Sequence, residues 1–276
     1  MRLSFNTWVY SSFPVWVPAY PLPETIVRVA RIGYDGIEIG ATAPHAYPDY
    51  LDAPARREIK ACLDDNGIRL SSMLPAPGGG PGFNVSSPLE AERRNAVDQY
   101  IKVAELCSQW GGETLLYVAG WQVYGTPAEQ AWEWSRSALQ TIARRAADVG
   151  VTVAVEPTPT DSNLVESCDD AMRMMREAGE VNVKLMFDTI HALYRNEVPT
   201  DYVYRMGKDL RHVHLADANR DAPGPSGKVD YVGLVQALKE VGFDGYLTME
   251  IGFNRRDVDP DSVARRAFSY LKSIMA

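Results

Sequence analysis

The chain has 276 residues, 46% of them hydrophobic and 10% aromatic, with a formal net charge of −8. That is enough apolar material for a large core, and longer than a typical single domain unless the fold is a barrel. No run of lysines or arginines is long enough to track a phosphate backbone, so nucleic acid is excluded as an expected partner. The first residues, MRLSFNTWVYSSF, lack an apolar signal region, and no stretch approaches the roughly 18 apolar residues of a spanning helix. No membrane association is expected, and a cytoplasmic location is. Cys62, Cys107 and Cys168 are widely spaced, form no CxxC, and read as reduced structural residues.

Short apolar runs alternate with longer segments of helical period. The first run is LSFNTWV (3–9), followed by a helix over ETIVRVARI (24–32). GIEIG (36–40) precedes a helix at 54–66, and IRLSSML (68–74) precedes one at 89–110. TLLYVA (114–119) is followed by 128–149, and VTVAVE (151–156) by 167–178. VKLMFD (183–188) leads to a weaker helix near 199–207, LRHVHLA (210–216) to 231–242, and YLTMEI (246–251) to 261–275. Eight strands alternating with eight helices over about 250 residues predict a (β/α)8 TIM barrel, one domain over 1–276. A doubly wound open sheet is the alternative, but no GxGxxG follows the first strand. The longest irregular stretch, PAPGGGPGFNVSSP (75–88), reads either as a lid or as a long connection.

Active sites of such barrels lie at the C-terminal strand ends. The fifth to eighth runs end in Glu156, Asp188, His214 and Glu250. A lone carboxylate there is usually a helix cap or an ion-pair partner, but four consecutive strands each ending in a metal-binding group point to a site. Three carboxylates and one imidazole favour Mn²⁺, with Mg²⁺ or Co²⁺ as alternatives, over structural zinc. Four side-chain ligands leave an octahedral ion two positions for a substrate's neighbouring carbonyl and hydroxyl oxygens. Such an ion would acidify the adjacent C–H and stabilise an enediolate. Strands five and eight stand about 135° apart around the barrel. Glu156 and Glu250 can therefore face a flat enediolate from opposite sides, one removing a proton and the other delivering one, so that the stereocentre inverts.

His191 and Arg220 fall on loops over the barrel mouth, as candidate holders of sugar hydroxyls; so does Asp161, which could instead cap the next helix. His212 and His214 share one inward face, about 7 Å apart. His214, nearer the mouth, is the expected ligand, and His212 its buried support. Asn6, Trp8, Glu38, His45, Phe83, Tyr117 and Trp121 could shape the pocket or simply pack, with Glu38 the expected substrate contact among them. Trp132 and Trp134 lie about 200° apart on one helix. An outward tryptophan suggests a subunit interface and hence a homodimer or homotetramer.

Together GYDGIEIG, VEPTPTDSN, FDTIH, RHVHLADANR and LTMEIGFN resemble the xylose-isomerase-like barrels. Within these, the likeness is to the ketose 3-epimerases, in their D-tagatose/D-psicose (allulose) and fructoselysine branches. The resemblance spans nearly the whole chain and implies a Mn²⁺-type ion on Glu156, Asp188, His214 and Glu250. It further implies proton exchange at C3 through Glu156 and Glu250, and sugar contacts from His191 and Arg220. One departure stands out: the free-ketose enzymes carry a second glutamate six residues after the first ligand, where this chain has Ser162, and Asp161 is the expected replacement. The expected function is metal-dependent 3-epimerisation of a small-molecule sugar, a free ketose or ketose derivative. The alternatives are an aldose–ketose isomerase and a lyase or dehydratase acting on a 3-keto sugar or keto-inositol. An abasic-site endonuclease fits poorly with four histidines and an acidic chain, and a non-catalytic sugar-binding barrel would exchange no carbon-bound proton.

Overall fold

The computed structural model describes residues 1–11, 20–75, 82–252 and 259–276. Its strands are β1 (Arg2–Asn6), β2 (Gly36–Ala41), β3 (Arg69–Pro75), β4 (Thr114–Tyr117), β5 (Thr152–Val155), β6 (Val183–Asp188), β7 (Leu210–Leu215) and β8 (Tyr246–Met249). They pair in parallel in chain order, and β8 closes onto β1. Among the described residues the helices are α1 (Leu22–Ile32), α2 (Ala53–Asp65), α3 (Glu90–Gln109), α4 (Ala128–Asp148), α5 (Cys168–Ala178), α6 (Thr189–Tyr194), α7 (Pro199–Met206), α8 (Tyr231–Glu240) and α9 (Pro260–Met275). This is the closed (β/α)8 barrel expected from the alternation, with one addition. The six residues of α6 are too short to display a helical period, and they follow β6 directly because the Asp188 carboxylate caps them by accepting from Ile190 N–H.

Strand alternation divides the side chains between two environments. Leu3, Phe5, Ile37, Ile39, Leu115, Val153, Leu185, Val213 and Leu247 pack with the helices in the main apolar core. Burying each such side chain contributes about 1.5–3 kcal/mol. The alternate residues fill the barrel interior, which is itself split. On one side Trp8, Leu74, Leu116, Ala154 and Met186 form a small apolar cluster. On the other, Ser4, Asn6, Glu38, Ser72, His212, His214 and Thr248 are all buried and polar.

β1 is shorter than its apolar run. The chain leaves it at Asn6, whose side chain accepts from Trp8 N–H and starts a 3-10 turn at Thr7–Tyr10. That turn lays the Trp8 ring across Gly40, where any Cβ would sit 2.4 Å from the indole. Two register shifts position polar residues of the interior. One between Ile37 and Glu38 sets Ser72 opposite Glu38, and one between Leu185 and Met186 sets Asp188 opposite His214. The three cysteines are free, with Cys107 and Cys168 buried. No described helix is long and apolar enough to cross a membrane.

The two tryptophans of α4 are covered to different degrees. Trp132 is buried and donates to Glu177 at 2.6 Å, beneath the Arg173 guanidinium. Trp134 is half-buried, with the Arg93 guanidinium stacked 4.2 Å from its ring centroid. Each ring thus carries one of the chain's own arginines on a face, and Trp134 stays partly exposed.

Candidate active site

Glu156 and Glu250 each stand one residue beyond β5 and β8, Asp188 is the last residue of β6, and His214 lies one before the end of β7. All four are buried. Ligand atoms of Asp188, His214 and Glu250 lie within 4.8 Å of one another, as do those of Glu156, Asp188 and His191. His214 is the hub. Its Nδ1 is 3.2 Å from Glu250 Oε2, 3.6 Å from Glu156 Oε1 and 4.0 Å from Asp188 Oδ2. Yet that nitrogen is buried and makes no aligned hydrogen bond.

The other ring nitrogen explains the orientation. His214 Nε2 lies 2.9 Å from Glu38 Oε1, so a proton on Nε2 is held by that carboxylate and the Nδ1 lone pair is left for the cluster. Glu38 is fixed in turn. It accepts from Asn6 Nδ2 at 2.6 Å and Ser72 Oγ at 2.5 Å, and lies 3.1 Å from His212 Nε2. This corrects the expected sugar contact at Glu38: the carboxylate is wholly buried against His214, with its oxygens already engaged. His212 is buried beside them, its ring edge-on to His214 at 5.2 Å.

Arg220 closes the cluster. One terminal nitrogen donates to Asp188 Oδ2, and also to Glu250 Oε2 at 2.5 Å. Its backbone, like that of Asn219, is left-handed, with φ of 57° and 61°. That conformation costs an arginine about 1 kcal/mol or more, and Asp217 holds it in place. The Asp217 carboxylate accepts from Ala218 N–H at 2.7 Å and Lys228 N–H at 2.9 Å, while its own N–H donates to Asp221 O. Gly227 completes the clamp, since a Cβ there would come within 1.9 Å of Asp217 Oδ2. Neither Asp217 nor Gly227 is among the residues expected from sequence; HLADANR and GPSGK give no periodic signal for a clamp between two loops. Thr189 is a second such residue, bridging the ends of β6 and β7 by donating to Ala216 O and accepting from Ala216 N–H.

The electrostatics of the two glutamates diverge. Burial pushes the Glu156 carboxyl up to about 7, against the pull of His214. Burial would raise Glu250 too, but the adjacent Arg220 guanidinium and His214 outweigh it and hold that carboxyl at about 2. Burial disfavours a charged His214, yet Glu38 and Glu250 hold it above the ordinary histidine range. His191 is buried 3.9 Å from Glu156 Oε1, and its burial keeps it below that range despite Asp188.

Asp161 is exposed on the rim, accepting from Thr160 Oγ1, whose hydroxyl is 3.5 Å from His191 Nδ1. It does not cap α5, whose cap is Ser167 in a reciprocal box with Asp170. Ser162 is buried and donates to Gly120 O at 2.7 Å, so it fastens the loop instead of facing substrate. His45 bonds Tyr20 O, and Tyr117 donates to Ser135 O on the helix side of the barrel; both are packing residues. Asn6 works through Glu38, and Trp8 belongs to the apolar interior. Phe83 meets Tyr47 edge-on at the periphery. Trp121 O accepts from Asn84 and Ser86, which ties the end of the 75–88 stretch to the loop after β4. Residues 76–81 of that stretch, and with them the question of a lid, lie outside the described residues.

The donor set suits a divalent cation. With Glu156, Asp188 and Glu250 ionised, three buried carboxylates face one guanidinium among the described residues, and His214 Nδ1, which makes no aligned hydrogen bond, points among them. With His214 neutral, two negative charges stay uncompensated and its Nδ1 lone pair is available, and such an ion would satisfy both.

Known proteins resemble the chain over most of its length. It is 25% identical over 261 residues to the fructoselysine 3-epimerase of Escherichia coli O157:H7, covering 92% of this chain and 94% of that one. It is 28% identical over 235 residues to the D-psicose 3-epimerase of Agrobacterium fabrum, covering 82% and 77%. The crystal structure of D-psicose 3-epimerase from Clostridium cellulolyticum H10 with D-tagatose superposes with a TM-score of 0.84 at 21% identity, covering 100% of this chain and 99% of that one. The profile of the xylose isomerase-like TIM barrels matches residues 26–274, and the chain belongs to that family.

Proposed function

We propose that this protein is a metal-dependent 3-epimerase of a free ketose or ketose derivative. The observation that carries the reading is the convergence of Glu156, Asp188, Glu250 and the unpartnered His214 Nδ1 at the C-terminal end of the barrel. Glu156, Asp188, His214 and Glu250 would hold the ion, Mn²⁺ by preference, with Mg²⁺ or Co²⁺ also compatible with this oxygen-rich set. When bound, the ion would polarise the substrate carbonyl and acidify the adjacent C–H. Glu38 keeps the proton of His214 on Nε2, so that Nδ1 stays available. Glu156 and Glu250 project from β5 and β8, on different sides of the mouth, as the proton-exchanging pair. The carboxylate that takes the C3 proton does so on one face, and its partner returns one on the other, inverting the centre. The opposed tendencies of these two groups toward the protonated and ionised forms suit an acid and a base.

His191 and Arg220 would donate to substrate oxygens, His191 as a neutral imidazole beside Glu156. Asp161, at the exposed rim, is suited to an outer hydroxyl or to a substituent extending from the sugar. Relatives named fructoselysine 3-epimerase and D-psicose 3-epimerase support the substrate class without choosing within it. The deciding experiment is NMR of Mn²⁺-loaded protein with fructose, psicose, tagatose, sorbose and ribulose in D₂O. Deuterium at C3 with the 3-epimer as product is expected. Exchange at C1 or C2 with an aldose product would instead make the enzyme an isomerase, and loss of mass would make it a lyase.

A further inference from the structure

A second candidate site lies at the opposite end of the barrel. The N-terminal ends of β1, β3, β4, β7 and β8 enclose a cavity of about 70 Å³, lined among others by Arg2, Arg69, Arg211, Glu113, Ser71 and His212. On the same measure one water needs only about 10–15 Å³. Three arginines thus line a space with a single carboxylate, in a chain whose overall charge is −8. Arg211 is committed in part, with Nη2 3.0 Å from Glu113 and Nε donating to Thr114 Oγ1 at 3.1 Å. Arg2 stacks on the Tyr246 ring at 4.1 Å and donates to its hydroxyl at 3.2 Å. The Arg69 side chain has no hydrogen bond or ion pair among the described residues.

We propose that this cavity binds a small tetrahedral oxyanion, of which inorganic phosphate is the type. Like charges gathered around one concavity repel, and a dianion placed between them offsets that repulsion. Guanidinium forks match the oxygens of phosphate in both geometry and charge. The uncommitted donors of Arg69 supply the direct contact, while Arg2 and Arg211, fixed by Tyr246 and Glu113, shape the walls. An ion-pair network serving stability alone would carry carboxylates in comparable number; here Glu113 is the one carboxylate in the lining. The site is separate from the mouth and independent of the epimerase reading.

The test is calorimetric titration of inorganic phosphate into the full chain at constant ionic strength, with chloride as the control anion. One saturable site per chain is expected, weakened about tenfold or more in Arg69→Ala, as loss of a charge-assisted hydrogen bond implies. Arg69→Glu, which places a carboxylate among the remaining arginines, is expected to abolish binding. Because the Arg69 side chain has no partner to lose among the described residues, both variants should melt like the wild type in chloride buffer. Absence of saturable binding to the wild type would overturn the proposal. So would phosphate binding that both variants leave intact, since the anion would then sit elsewhere, as at the mouth with Arg220.

Discussion

A cluster at one end of this barrel and a cavity at the other carry opposite excesses of charge among the described residues. At the C-terminal mouth three carboxylates, Glu156, Asp188 and Glu250, face one guanidinium among the described residues, that of Arg220. At the N-terminal end one cavity is lined by three arginines, Arg2, Arg69 and Arg211, and one carboxylate, Glu113. The difference lies in burial. The mouth carboxylates are taken out of water, where their mutual repulsion is strong, and they converge on one imidazole nitrogen. The arginines at the other end stay partly solvated, so their repulsion is screened and no single atom collects them. Between the two runs a buried polar column: Glu38 bonds Ser72, Ser72 lies 3.2 Å from Ser71, and Ser71 lies 2.7 Å from Ser4. An excess of buried charge calls for a strongly bound counter-ion, whereas an excess of exposed charge needs only a weakly held one.

The largest expected effect comes from removing one of the two carboxylates proposed to exchange the proton at the mouth. Glu250→Gln should lower kcat by about 10²–10⁴-fold with little change in melting temperature; a loss under about tenfold would remove Glu250 from the chemistry. Next comes the support behind the site. Glu38→Gln keeps the shape but loses the charge that fixes His214, and should weaken Mn²⁺ binding by about 10–100-fold. A titration with unchanged affinity would make Glu38 a packing residue only.

Proton competition sharpens the contrast further. In the metal-free protein burial pushes the Glu156 carboxyl up to about 7, and Glu38 and Glu250 hold His214 above its ordinary range. Both must shed protons to act as ligands, so Mn²⁺ affinity should fall as pH drops through 7 and recover as it rises. Equal affinities one pH unit either side of that value would contradict the assignment. A smaller effect is expected at Asp217, whose replacement by alanine frees the loop bearing Arg220. KM and kcat should both suffer while the melting temperature moves by only a few degrees, as a loss of about 1–2 kcal/mol implies. Smallest of all, Arg69→Ala should leave epimerisation within about twofold of wild type, since surface substitutions away from a site seldom matter.

The barrel is legible in the sequence because each apolar run and each helical period is long enough to count, and because carboxylates and a histidine end four successive strands. The short helix after Asp188 is invisible there, since six residues span less than two turns. Glu38 reads as a strand-end carboxylate, but its direction depends on a register shift between β2 and β3 that no pattern reveals. Asp217 and Gly227 meet only through a loop closure, so neither can be paired in advance. The stacking of Arg93 on Trp134 is hidden for a related reason: spacing places one ring outward, but the arginine that covers its face from a neighbouring helix is a tertiary fact.

Whether the mouth cluster holds one divalent ion is tested directly by anomalous diffraction from crystals grown with Mn²⁺. A single strong peak per chain is expected, bonded to His214 Nδ1 and to oxygens of Glu156, Asp188 and Glu250. A peak on Glu38, His212 and the Nε2 side of His214, or no peak within the barrel, would contradict that assignment.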